Sequence, residues 1–278
     1  MNAIEITGLS KSYKDFTLDN INLTLPSGCI MGLVGENGAG KSTTIKLVLN
    51  MIKKNCGEIR LLGEDYTICS KEDIGVVFDE GCFPECLNIK DINKILKNIY
   101  HQWNEENFFN YCDELSLPIN KKIKDFSRGM KMKLSIASVL SHNAKLLILD
   151  EPTSGLDPVV RDEILDIFYD FTRDESHSIL ISSHIVSDLE KLCDYIAFMH
   201  KGKLILCEEK DELLNNYCIV QCSEDEFSRI CKSDVLGVRK TNFSVNAVIK
   251  RGAVTENMNL SAITLEDLFV YMIRGCQE

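Results

Sequence analysis

Residues 30–43 read IMGLVGENGAGKST, an apolar run from Ile30 to Val34, then a glycine-rich loop, then the start of a helix near Lys41. The loop fits the pattern G-x-x-x-x-G-K-[ST] through Gly35, Gly40, Lys41 and Ser42. Glycines at 35, 38 and 40 let backbone N–H groups turn inward around phosphate oxygens, and the helix that follows adds its positive dipole end. The stretch therefore predicts a nucleoside triphosphate cradle made by Gly35, Glu36, Asn37, Gly38, Ala39, Gly40, Lys41, Ser42 and Thr43. Lys41 would reach the β- and γ-phosphates, and Ser42 would offer its hydroxyl to Mg²⁺. Strand, loop and helix in this order indicate an α/β fold, and they leave kinase, GTPase, motor and transporter ATPase all open.

Downstream, residues 146–157 read LLILDEPTSGLD. Four apolar residues form a short buried strand that delivers Asp150 and Glu151 to its carboxyl end, where open α/β sheets bind their ligands. Two adjacent carboxylates there can divide two tasks: Asp150 holds Mg²⁺, directly or through water, and Glu151 accepts a proton from the attacking water or orients it. Taken alone, ILDE reads equally well as a buried strand that ends in solvated acids.

Between these stretches lies Phe126-Ser127-Arg128-Gly129-Met130, followed by a helical pattern over residues 131–140. The ordered set GENGAGKST, FSRGM, LLILDEP, SGLD and SSH resembles the nucleotide-binding subunits of ATP-binding cassette (ABC) transporters, over about residues 4–210. Within that family the SRGM signature is similar to the ATPases of bacterial drug and peptide exporters, of the bacitracin-resistance, Ytr or Pmt type. The resemblance implies a P-loop NTPase of α/β class with a RecA-like core, an antiparallel β subdomain and a helical insert at about 85–140. It places a nucleotide-binding domain at 1–210 and a small α+β extension at 211–278. ATP and Mg²⁺ would be the cofactors, and the partners would be a transmembrane permease and a second ATP-binding subunit, identical or related. A rival is a soluble cassette ATPase that serves translation or DNA repair.

The same resemblance assigns roles by position. Tyr13 would stack on adenine, a contact worth about 1 kcal/mol, with Phe16 as the rival stacking residue. Ser127 and Gly129 would aim a hydroxyl and an N–H at the γ-phosphate held by the second subunit. Asp157 would cross the dimer seam, and His184, after a strand at 178–183, would sense the γ-phosphate, so that Lys41, Glu151 and His184 form the catalytic set. Asp157 before Pro158 is also a good N-cap and first-turn pair, and both roles are expected together. Two stretches depart from the common family pattern. Asp79 stands at the end of a strand where glutamine is usual, and is expected to hold metal beside Ser42 and Asp150, with Glu80 as the local alternative. Arg128 and Met130 stand where the common signature has glycine and glutamine, and Arg128 either adds charge near the triphosphate or points to solvent.

The resemblance implies a place on the inner face of the membrane, and composition agrees with a cytoplasmic protein. Across 278 residues, 31 basic and 42 acidic side chains leave a net charge of −11, which opposes sequence-independent binding to nucleic acid. No stretch of about 18 apolar residues and no secretory leader is visible. Twelve cysteines are scattered without matching histidines, so free thiols are expected; the nearest pairs are Cys82 with Cys86 and Cys218 with Cys222. The alternating pattern of residues 4–25 predicts an antiparallel hairpin, and helical spacing marks residues 89–100 and 108–117. A strand pair is expected over 195–206, short strands at 218–222 and 245–250, and a helix at 265–273. Ser187-Asp188-Leu189-Glu190 reads as a capping box that opens a helix, and His101, His142, His177 and His200 read as ordinary.

Overall fold

The computed structural model describes residues 1–79, 83–240, 244–253 and 259–275. Glu80 and Cys82, both considered above, lie outside the described residues.

A six-stranded sheet forms the centre, built from β3 (Ile30–Gly35), β6 (Ile74–Val77), β7 (Leu146–Asp150), β8 (Ser178–Ser183), β9 (Tyr195–His200) and β10 (Lys203–Glu209), in the order β10-β9-β3-β8-β7-β6. All pairings are parallel except the β9–β10 hairpin at the edge. Every residue of β3, β7 and β8 is buried, the mark of parallel strands covered on both faces. Because side chains alternate across a strand, successive residues feed two different cores. Ile30, Val34, Leu147, Leu149, Ile179 and Ile181 face one core, while Met31, Leu33, Leu146, Ile148 and Leu180 face the other.

The second core is closed by α1 (Lys41–Val48) and by an antiparallel sheet of β1 (Asn2–Ser12), β2 (Thr17–Pro26), β4 (Cys56–Leu61) and β5 (Glu64–Asp65), in the order β2-β1-β4-β5. The first core is closed by α4 (Arg128–Leu140), α5 (Pro158–Phe171) and α6 (Val186–Leu192). The opposite side of α4 contributes Leu134 and Ala137 to a third cluster, with Ile89, Ile92 and Leu96 of α2 (Ile89–Ile99) and Phe108 and Cys112 of α3 (Glu105–Glu114). The expected hairpin, the helices and the strand pair at 195–206 are all present. Two bounds differ. Asn104 caps α3, accepting from the Asn107 N–H at 3.0 Å, so that the helix starts at Glu105, three residues before Phe108, and ends at Glu114; β10 runs on to Glu209.

Beyond β10, α7 (Lys210–Asn216) leads to a four-stranded antiparallel sheet of β11 (Tyr217–Cys222), β12 (Val235–Lys240), β13 (Val245–Lys250) and β14 (Asn259–Ser261), ordered β12-β13-β11-β14, with the single-turn α8 (Glu224–Phe227) beside it. The last helix, α9 (Leu265–Gly275), crosses β12 and returns to the first core. Leu265, Leu268 and Met272 share a cluster with Leu189, Leu192 and Phe198, and the rings of Phe198 and Phe269 stack at 5.3 Å. Strand β12 escapes sequence reading because Gly237 interrupts it. A Cβ there would stand 2.2 Å from the Tyr271 carbonyl oxygen, so the helix crossing requires the glycine.

The ten cysteines among the described residues are free, and burial raises the Cys112 thiol to about 12.

One contact braces the phosphate loop from the sheet edge. Gly202, in the β9–β10 turn at φ 79°, donates its N–H to the Ala39 carbonyl at 3.0 Å, and a Cβ on it would lie 1.9 Å from Thr17 O. Gly202→Ala is therefore expected to lower stability by about 1–3 kcal/mol, read by denaturant unfolding; a midpoint within error of the parent would refute this account of the brace.

Candidate functional site

The apolar strand β3 ends against β9 so closely that a Cβ on Gly35 would stand 2.6 Å from the Met199 carbonyl oxygen. From there the loop turns through Gly38 and Gly40, both at positive φ, and α1 begins at Lys41 with no side-chain cap on its first N–H groups. An uncapped helix start ringed by backbone amides is a receptor for anions. Ala39 and Gly35 are buried and shape the loop, and Ala39 N–H closes it onto Glu36 O at 3.1 Å. The buried Lys41 ammonium donates to Gly35 O at 2.6 Å and pairs with Glu151 Oε1 at 3.3 Å.

At the end of β7, Asp150 is 7% exposed and accepts from Ser182 Oγ at 2.6 Å. Glu151 follows in left-handed backbone, φ 54°, a strained conformation for a residue with a Cβ. Two bonds from its N–H hold it, to Ser182 O at 3.1 Å and Ser182 Oγ at 3.2 Å. This bend aims the carboxylate into the cleft, where Oε2 lies 2.7 Å from His184 Nδ1 and accepts the His184 backbone N–H at 3.3 Å. Lys41, Glu151 and His184 thus form one contiguous chain of contacts.

These groups line a cavity of about 520 Å³ together with Phe16, Glu36, Asn37, Gly38, Gly40, Ser42, Thr43, Asp79 and Ser154. Tyr13 is not part of that lining. It is 47% exposed, with Lys11 Nζ 5.3 Å from its ring centre, whereas Phe16 packs against Gly40. Ser127, Arg128, Gly129 and Asp157 line a different cavity of about 450 Å³. There the Ser127 hydroxyl accepts from Met130 N–H at 3.2 Å to cap α4, and Asp157 accepts from Val160 N–H at 3.0 Å to cap α5. The Arg128 guanidinium pairs with Asp79, which lines the nucleotide cavity, so the two unusual positions meet.

A search of family models matches residues 18–154 to the ABC transporter family. The lantibiotic transport ATP-binding protein SrtF of Streptococcus pyogenes is 37% identical over 227 residues, spanning 78% of this chain and 98% of that protein. The chain belongs to the ATP-binding cassette family. The bacitracin transport ATP-binding protein BcrA of Bacillus licheniformis is 36% identical over 215 residues, 73% of this chain and 68% of that one. Among solved structures, the cassette CbiO1 of Clostridium perfringens, part of an ABC transporter complex, aligns with TM-score 0.64 at 26% identity, covering 76% of this chain and 90% of that one. The fold is that of an ABC-type P-loop ATPase, and ATP is the nucleotide such a cassette binds and hydrolyses.

Sequence reading missed how this cassette holds its turn after Glu151. The expected capping box at 187–190 does not form: α6 starts at Val186 without a side-chain cap. Asp188 instead points inward at 4% exposure and accepts from the buried Thr153 hydroxyl at 2.9 Å, while Arg161 Nε stands 3.7 Å away. Glu190 accepts the Leu265 N–H at the start of α9, at 2.9 Å. The four-residue spacing offers a capping reading, but the partners come from distant segments, and no local signal reports them. Because burial leaves Asp188 dependent on its donors, Thr153→Val is expected to cost about 1–3 kcal/mol of stability, measured by urea unfolding; a loss well under 1 kcal/mol would count against the bond.

Proposed function

We propose that this cassette is the ATP-binding and ATP-hydrolysing subunit of an exporter that moves a drug, antimicrobial or amphipathic peptide through a separate transmembrane permease. The reading is carried by one observation: Lys41, Glu151 and His184 converge on the phosphate loop, while Ser127, Gly129 and Asp157 line a separate cavity of the same chain. A signature set apart from its own phosphate loop is suited to meet the triphosphate of a second ATP-binding subunit, identical or related. The names of the lantibiotic and bacitracin relatives support transport and weigh against the soluble alternative in translation or DNA repair. No helix of the described residues is long and apolar enough to cross a membrane, so the proposal gives that task to the permease and places the cassette on the inner face. Residues 211–278 are taken as an accessory unit on the 1–210 nucleotide-binding domain. Nucleic acid is not an expected partner.

The donors fit Mg²⁺. Ser42, Asp79 and Asp150 supply hard oxygens, two of them carboxylates. This suits an ion that takes one or two carboxylates and completes its shell with phosphate and water. When bound, Mg²⁺ would neutralise charge on the β- and γ-phosphates. Lys41 would bring its ammonium from Glu151 to the phosphate oxygens as the loop N–H groups of residues 35–43 wrap them. Glu151 would accept the proton of the attacking water, with its carboxylate oriented by His184, which also stands at the γ-phosphate end of the cleft. Tyr13 is assigned to adenine stacking, with Phe16, which lines the cleft, as the rival stacking residue.

Two measurements test these assignments. Glu151→Gln should retain ATP binding and gain an ATP-dependent dimer in gel filtration while turnover falls about 10²–10⁴-fold; turnover like the parent's would remove Glu151 from the base role. Tyr13→Ala should weaken ATP binding about fivefold, the worth of roughly 1 kcal/mol, and Tyr13→Phe should restore it. A larger loss in Phe16→Ala, with Tyr13→Ala silent, would pass the stacking role to Phe16.

A further inference from the structure

The Arg128–Asp79 pair joins the two cavities. Asp79 lines the nucleotide cleft with Lys41 and Ser42, and Arg128 lines the signature cavity with Ser127 and Gly129. Arg128 is also the first residue of α4, so its side chain leashes the start of that helix to the exit of β6. The guanidinium lies over Gly155, where an added Cβ would stand 2.5 Å from Nη1 and 3.0 Å from Cζ. That glycine sits midway in the turn between Glu151 and Asp157, at φ 67°. One cation therefore touches the carboxylate edge of the cleft and the turn to the seam, and anchors the signature.

The two lysines that follow in α4 have carboxylate partners of their own: Lys131 pairs with Glu85 at 3.2 Å and Lys133 with Glu163 at 2.6 Å. Both members of the Arg128–Asp79 pair are about half exposed, at 48% and 46%, so the contact is weak enough to exchange. A divalent cation brought to Asp79 with the triphosphate is repelled by the guanidinium already there. By linkage, whatever Arg128 costs the incoming cation, that cation costs the Arg128 contact in return.

We propose that Arg128 is a resident counter-cation of Asp79, which competes with the divalent ion of the nucleotide and holds the start of α4 to the cleft until Mg·ATP displaces it. The inference rests on the ATPase reading above. Loading the cleft then frees Ser127 and Gly129 for a second subunit, so that signature release follows filling of the subunit's own site.

The test is equilibrium binding of a fluorescent ATP analogue to the full chain, with Mg²⁺ titrated at fixed nucleotide. Arg128→Gln should lower the Mg²⁺ concentration for half-maximal binding about three- to tenfold, and Arg128→Lys should stay near the parent value. Asp79→Asn should raise it, and adding Arg128→Gln to Asp79→Asn should produce no further decrease. An unchanged or higher Mg²⁺ requirement in Arg128→Gln, or a decrease that persists without Asp79, overturns the counter-cation role. A parent chain that binds no ATP at any Mg²⁺ concentration would instead overturn the ATPase reading itself.

Discussion

Three central strands with no exposed residue, β3, β7 and β8, impose the constraint from which the architecture follows. A strand apolar on both sides needs two covers, and alternate side chains must satisfy both at once. The antiparallel sheet with α1 supplies one cover, and α4, α5, α6 and α9 supply the other. The polar groups of the cleft are carried at the carboxyl ends of these strands. The phosphate loop leaves β3 there, Asp150 and Glu151 leave β7, and the segment with His184 leaves β8.

Electrostatics at that edge depends on few, closely matched contacts. Glu151 has its two oxygens shared between an ammonium and an imidazole, and its backbone is bent by Ser182, which also holds Asp150. The next turn is fixed from behind by Thr153 and Asp188. Both adjacent carboxylates are thus positioned from β8 and the helix after it.

Much of this was legible in the sequence where local pattern and structure share a cause. Glycines at 35, 38 and 40, the Lys41-Ser42 pair, the apolar run before Asp150 and the Asp157-Pro158 cap each act within a few residues, so spacing alone places them. The phosphate loop, Glu151, His184 and Asp79 meet in one cleft as their positions along the strands imply. What remained hidden depends on partners far apart in the chain. Asp188 and Glu190 look like capping residues until their donors, Thr153 and Leu265, arrive from other elements. Strand β12 carries a glycine required by a helix 34 residues later in sequence, Tyr271 against Gly237. Arg128 offered two readings because its true partner, Asp79, lies 49 residues upstream.

The return of α9 to the first core has a bearing on biosynthesis. Its apolar face completes the packing around Leu189, Leu192 and Phe198, on the helix that follows His184 and the strand that backs the phosphate loop. Chains emerge from the ribosome in order, amino end first. During synthesis the motifs of the cleft are all made while this part of their supporting core still lacks the cover that α9 provides. The apolar seal behind the nucleotide edge therefore forms only after α9 has been made, some 80 residues after His184.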